Sequence, residues 1–483
     1  MSSSSLDLGL IGRPLADPAR TTTGRMLVLY GQLLGPLLAG YMLFDKAFAY
    51  IHVPGTPVYV GEMTLVVGGL GVLGATGYLR IPVRDEPILA LLGAFFLWGL
   101  IRFLPGLRDN GIEAIRDFAL VYYCLFAFFT VAALARSPDL PDRWLANFNR
   151  LVPWLLIWLP VELILQTKLN GPHVPFSDVP ILTHASGNAA FAALIALGFL
   201  LLFPEKRSAF SRAVLSILAL IVIALAATQN RGGLVGVAAG AVVGLAFLPA
   251  RDRLRLVVRA VAVIVVGLGL AAGLSLKVPT GGRTFSVPQL IENVASIGGG
   301  GSSSSSGLQG TVEGRDQLWT LLYHLQVSEG RLDDGFGFGV NLPYLVNDTQ
   351  VGSGSDPLRS PHNSHDDVLA RMGLVGFVLW LAMWLGWYWR MIVGAWRLKR
   401  HGVDTRRKIV VLCLMGNTAM LVSSFFAPLL EGAQVAVLLW VLFGLGVVMT
   451  TRRGWYRPQA PALAAPARRK QVALFQVQGT SDS

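Results

Sequence analysis

Charge is scarce in this chain. Only 14% of its 483 residues are Asp, Glu, Lys or Arg, against about 25% in a soluble globular domain. That scarcity excludes an ordinary soluble enzyme, and equally a disordered polymer, which stays solvated through its charge. Cysteine is nearly absent. Cys124 and Cys413 both sit inside apolar runs, so neither a disulfide framework nor a cysteine-based metal site follows. No apolar stretch precedes Met26, so a cleaved signal peptide is not expected and the first apolar run should remain as a membrane anchor. A nucleotide-type phosphate loop is also lacking. Asp334–Gly339 is glycine-rich, but no Lys-Ser or Lys-Thr follows it and no strand precedes it. It predicts a tight turn with aromatic packing.

What the chain has instead is apolar sequence. Hydrophobic residues make up 53% of it, in runs of about 16–25, the length that spans a bilayer. About twelve spans are predicted, over 26–46, 58–79, 88–104, 115–135, 151–166, 187–203, 211–228, 232–249, 256–276, 367–393, 407–428 and 432–450. Each must be helical, because lipid offers the backbone no hydrogen-bond partner. The fold class is an all-α polytopic membrane protein. It divides into an N-terminal tail (1–25), helices 1–9 (26–276), one long outer loop (277–366), helices 10–12 (367–450) and a basic C-terminal tail (451–483). Within the loop, 298–307 reads GGGGSSSSSG, a flexible linker.

The net charge of +12 could serve nucleic acid, an anionic membrane face or an anionic substrate. Its distribution decides. With both termini cytoplasmic, every inside segment holds at least two basic residues, from Arg13, Arg20 and Arg25 through Arg80 and Arg84 to Arg468, Arg469 and Lys470. Orientation in a bilayer therefore accounts for most of the basic excess, and nucleic acid is not implied. The basic residues left on the outer face carry the information.

Three outer stretches could carry chemistry. Arg231 opens a span directly after a very short polar turn, and Gly232 and Gly233 leave backbone N–H groups accessible beside it. Helix dipole, amides and guanidinium together favour an anion such as phosphate, although a snorkelling interfacial arginine has the same sequence. Arg315 precedes Trp319, with Leu318, Leu321, Leu322 and Leu325 following at helical spacing. That pattern predicts a loop entering an amphipathic helix near the membrane surface, with Arg315 at its start.

The third stretch, Ser360–Leu369, places His362 and His365 three apart with Asp366 and Asp367 behind them. One imidazole suffices for a general base, and His362 is the candidate. A metal site of His362, His365 and Asp366 would need further ligands, with His324, His173 and His184 the available donors. A purely structural helix entry, capped by Asn363 or Ser364, is the third possibility.

At these residues the sequence resembles the O-antigen ligase and O-antigen polymerase family of bacterial envelope enzymes. The likeness rests on Arg231-Gly232, on Gly314-Arg315 with Trp319, and on His362-Asn363 before an apolar helix carrying Gly373 and Gly376. The resemblance implies a cofactor-free, metal-independent glycosyltransferase of the bacterial inner membrane with its active site on the periplasmic face. It implies a donor glycan on polyprenyl (undecaprenyl) diphosphate, and as acceptor either lipid A–core or a second lipid-linked glycan, in lipopolysaccharide or exopolysaccharide assembly. Arg231 and Arg315 would hold the diphosphate, and His362 would activate the acceptor hydroxyl, supported by Asn363 or His365. Arg371 stands where the family usually has an acidic residue. Arg102, Arg108 and Arg116 could line the acceptor path. The competing expectation is a transporter or flippase of lipid-linked intermediates, suggested by the charges at Glu62, Asp117 and Glu162 within apolar runs.

Overall fold

The computed structural model describes residues 22–75 except 57, 86–273 except 167 and 170, 278–280, 283–286, 288, 306–346 and 359–451. Most of both terminal tails, Arg80 and Arg84, and residues 298–305 of the Gly/Ser linker lie outside the described residues.

The described chain is helical almost throughout. In order it runs α1 (Thr22–Ala49), α2 (Val60–Ala75), α3 (Pro87–Asn110), α4 (Ile112–Asp117), α5 (Ala119–Tyr122), α6 (Leu125–Arg136), α7 (Leu140–Leu165) and α8 (Ser186–Leu202). There follow α9 (Ala209–Ala227), α10 (Arg231–Ala246), α11 (Ala250–Gly273), a two-stranded antiparallel pair β1 (Val278–Thr280) and β2 (Arg283–Phe285), and α12 (Ser306–Ser328). The chain ends in α13 (Leu342–Leu345), α14 (Ser364–Arg400), α15 (Asp404–Ser423) and α16 (Ala433–Thr450).

Each predicted apolar run overlaps a helix among the described residues, although 76–79 and 274–276 lie outside these residues and 424–428 form a turn. Among the described residues, six helices are long and apolar enough to cross a membrane, or seven if the bent pair 112–122 and 125–136 is one span. Three shorter apolar helices, 60–74, 186–202 and 231–246, join them. The run at 151–166, short in the sequence, is the second part of the 26-residue α7, which contains Pro153 and Pro160.

Two departures from the sequence reading matter for the site. The helix expected to begin near Arg315 begins at Ser306, inside the Gly/Ser stretch, so Arg315 lies within α12. Nor does α12 turn all four leucines the same way. Leu318 and Leu322 are buried with Leu342 and Ala370, while Leu321 stays exposed. This helix is therefore docked on protein.

The packing that positions the site comes from glycine. Gly232, Gly236, Gly240 and Gly244 recur every fourth residue along one face of α10, and that face lies on α15. A Cβ at Gly240 would stand 2.6 Å from the Met415 carbonyl oxygen, and one at Gly236 would strike the Ala419 carbonyl. Where lipid is as apolar as a side chain, such small-residue stripes let backbones close together and supply the packing that holds helices. Ser423 then donates to the Gly232 carbonyl (2.9 Å), tying the end of α15 to the start of α10.

The charges inside apolar runs have partners within the protein. Glu62 accepts from Tyr122 (2.8 Å) and Tyr123 (2.6 Å). Asp117 meets Arg371 (2.7 Å) and Glu162 meets His184 (3.0 Å). Cys124 and Cys413 are buried and free, as expected of small hydrophobes.

Candidate active site

The two predicted cationic segments and the histidine segment converge on one turn, residues 424–431 between α15 and α16. Ser364 binds this turn from one side: its amide donates to the Ser424 carbonyl (2.8 Å) and its hydroxyl to the Ala427 carbonyl (3.2 Å). Arg315 binds it from α12, with Nη1 donating to the Phe426 carbonyl (3.2 Å). The Phe426 side chain packs on α10, so that a Cβ at Gly232 would lie 2.5 Å from the Phe426 Cβ. Arg231, the first residue of α10, is half-buried beside that contact.

Each side chain is set by local sequence. Asn230 caps α10, its side-chain oxygen accepting from the Gly233 amide (2.7 Å), a role its short amide suits. On α12, Arg315 and Trp319 are four residues apart and so share a face. Trp319 Nε1 donates to the Pro361 carbonyl (2.7 Å), which brings the residue after it, His362, to Arg315. His362 holds a left-handed backbone conformation (φ 56°). In a non-glycine residue this costs about 1–3 kcal/mol, and such strain gathers at active sites and ligand clamps.

The imidazole of His362 is half-buried and has no hydrogen-bond partner among the described residues. Burial and then the Arg315 cation push its pKa down to about 4, so it is neutral at ordinary pH. Burial also lowers Arg315 from its ordinary value. Among the described residues Arg315 has no ion pair, so an arriving anion would meet a partly desolvated cation.

Asn363 and His365 are otherwise engaged. Asn363 is the N-cap of α14, accepting from the amides of His365 (3.0 Å) and Asp366 (3.4 Å), and its Nδ2 donates to Asp366 (2.7 Å). Of the two capping candidates the structure uses Asn363; Ser364 serves the turn instead. His365 belongs to the core. Its Nε2 bonds the Leu421 carbonyl (3.0 Å), its Nδ1 accepts from Trp380 (3.1 Å), and Phe425 lies on the ring at 4.0 Å between centroids. With both nitrogens used, it cannot join His362 as a ligand in this arrangement. Among the described residues no three His, Cys, Asp or Glu side chains gather as a metal site.

Beneath the site, α14 is broken. Gly373 takes φ 67° and the helical hydrogen bonds lapse around it. The loop at 332–337 fills the gap. The Phe336 and Gly337 amides donate to the Ala370 (2.7 Å) and Arg371 (3.0 Å) carbonyls, and the Leu374 amide donates to Leu332 (2.7 Å). The glycine-rich stretch that predicts a turn with aromatic packing makes both, with Phe338 fully buried against Phe118, and it also splints a helix. Gly335 (φ 74°) has no alternative residue: a Cβ there would stand 2.6 Å from the Arg371 carbonyl carbon.

Arg371, beside the break, is fully buried between Asp367 (2.9 Å) and Asp117 (2.7 Å). Arg359 extends the network to Glu113 (3.2 Å) and Asp117 (3.6 Å). Glu431, on the convergent turn, is pushed well above the ordinary carboxyl range by burial and by Asp367, so it can donate its proton to that carboxylate. Of the outer arginines, Arg102 pairs with Asp334 (2.9 Å) and so holds the splint, Arg116 lies 4.0 Å from Glu113 on the surface, and Arg108 is exposed.

No curated protein matches the chain. Residues 215–381 match a family model described as O-antigen ligase. That region runs from α9 into α14 and takes in Arg231, Arg315 and His362. Over these residues, in a chain of repeated apolar helices, the protein is similar to the O-antigen ligase family.

Proposed function

We propose that this protein is a membrane glycosyltransferase that moves a glycan from a polyprenyl-diphosphate carrier to an acceptor hydroxyl. The reaction takes place at the periplasmic face of the bacterial inner membrane, in lipopolysaccharide or exopolysaccharide assembly. The observation that carries the reading is the neutral imidazole of His362, without a hydrogen-bond partner among the described residues, beside the Arg315 guanidinium and inside the matched domain.

The chemistry follows from those groups. As the bond from the anomeric carbon to the diphosphate breaks, negative charge grows on the leaving group. Fixed cations placed there favour the transition state over the ground state. Arginine suits this because its planar fork engages two phosphate oxygens at once. Arg315 and Arg231 take this role. His362 accepts the proton of the acceptor hydroxyl as its oxygen bonds the anomeric carbon, and direct displacement inverts that carbon. Donor binding also prepares the base. A diphosphate on Arg315 cancels the cation that depresses His362 and raises its pKa towards the ordinary value. Because the protein occupies both nitrogens of His365, the reading assigns the base to His362 alone.

The test is reconstitution with a defined lipid-diphosphate glycan and two acceptors, lipid A–core and a second lipid-linked glycan. The wild type forms one new glycosidic bond, and the acceptor consumed separates ligase from polymerase. Loss of the general base in His362→Asn lowers turnover by about 10²–10⁴-fold. Movement of the lipid between leaflets with no new bond would overturn the reading in favour of a flippase.

A further inference from the structure

A second polar site lies next to Arg231. Where α7 ends and α8 and α10 begin, a cavity of about 480 Å³ opens, lined by Gln166, Thr183, His184, Ser186, Gln229 and Asn230. Its volume falls in the usual range of small-molecule sites, about 300–1,000 Å³. His184 is only 5% exposed, and its Nδ1 lies 3.0 Å from Glu162, which is wholly buried. On the other side of the ring, Nε2 is buried with no partner among the described residues, and so is Nε2 of Gln229. Buried polar atoms left unsatisfied cost about 1–3 kcal/mol each, so two at one cavity mark a place built for something to bind.

The surroundings hold these groups in place. Gln166 accepts from the His184 amide (2.8 Å). Asp45, at a break in α1 with φ 40°, accepts from the Ala185 amide (2.7 Å) and from Asn188 (2.7 Å), fixing the entry of α8. Apart from Pro180, Leu182 and Ala185 the lining is amide, hydroxyl and imidazole, with no Lys or Arg among it. Such a lining offers donors and acceptors in equal measure and matches the hydroxyls of a sugar ring better than a phosphate or an alkyl chain. Asn230 both lines the cavity and caps the helix that Arg231 opens.

We propose that this cavity is a saccharide subsite, taking the sugar attached to the diphosphate of the donor. The inference rests on the glycosyl-transfer reading above and adds which side of the site reads the glycan. Contacts to the ring hydroxyls of that sugar, which do not themselves react, supply energy that can be used to orient the reacting bond.

The test separates the sugar from its lipid. In the His362→Asn background, which slows turnover, and with no acceptor present, binding is measured to polyprenyl diphosphate with and without its glycan, in nanodiscs. The glycan-bearing lipid should bind at least about tenfold tighter, a difference of about 1.4 kcal/mol. Gln229→Ala and Thr183→Val should each erase most of that ratio. Unchanged binding of the bare lipid in the same variants shows that they are folded. Equal binding of the two lipids by the parent protein, or a ratio untouched by both substitutions, would overturn the subsite while leaving the diphosphate reading intact. If neither lipid binds, the diphosphate reading falls and the subsite falls with it.

Discussion

At the scale of single residues, the site is built around a histidine held in an unfavourable conformation and an unfavourable charge environment. Both predict measurable behaviour. In the free protein His362 stays neutral until the pH approaches about 4. The proposed base is thus lost only in strong acid, and kcat/KM, which reports the free enzyme, should stay level through mildly acidic pH and fall near that value. A break near pH 6.5, the unperturbed histidine value, would show that His362 is not held as described. In kcat the break should move upward, because bound diphosphate offsets Arg315. Arg315→Lys keeps a positive charge but loses the fork, and should lose most turnover; near-normal rates would reduce Arg315 to a helix-docking residue. The candidates stand out in the sequence because charge is scarce around them: Arg231 sits in a short polar break between apolar runs, and Arg315 and His362 fall in the long outer loop. The roles of Asn363 and His365 were not legible there. Whether a histidine meets a substrate or a tryptophan depends on Trp380 and Leu421, and no spacing rule reveals those.

At the scale of elements, two glycine arrangements bear the load. One is the broken α14. Arg371 sits there with Asp367 four residues before it, a pairing visible in the sequence, but its second carboxylate, Asp117, is 254 residues away and was not. Removing one member of a buried ionic network leaves its partners unpaired and costs about 3–5 kcal/mol. Arg371→Met should therefore lower the thermal midpoint sharply and reduce the yield of folded protein; a midpoint within a degree or two of wild type would contradict the network. The other is the stripe on α10. Gly236→Leu would force α10 away from α15, an overpacking cost of about 1–3 kcal/mol, and would carry Arg231 with it. Stability and donor affinity should fall together. The stripe was readable as a four-residue repeat but is easily passed over, because glycine also looks like mere apolar filler. The start of α12 was misread for the opposite reason. A Gly/Ser run has low helix propensity, and tertiary contacts through Leu318 and Leu322 outweigh it.

At the scale of the whole molecule, the two ends of the bundle do different work. At the end away from His362, arginines cover helix termini. Arg406 donates to the carbonyls of Met449 (2.9 Å) and Thr451 (2.9 Å) at the end of α16, Arg390 donates to Val447 (3.2 Å), and Arg390 also pairs with Glu86. Cations suit helix C-termini, so part of the basic excess expected to orient the chain also caps it. The proposed orientation is testable with a membrane-impermeant thiol reagent, since both native cysteines are buried. Thr320→Cys should react from the periplasmic side, and Lys206→Cys only once the cytoplasmic face is opened; reaction of both from one side would defeat the topology. The splint at Gly373 has one more consequence, and it concerns time. Because loop amides serve a helix and helix amides serve a loop, neither can open alone. The amides of Phe336, Gly337 and Leu374 should exchange with solvent as slowly as those of the buried bundle, and together. The floor of the site is then one cooperative unit with α14, rigid on the timescale of turnover although much of it is drawn as loop.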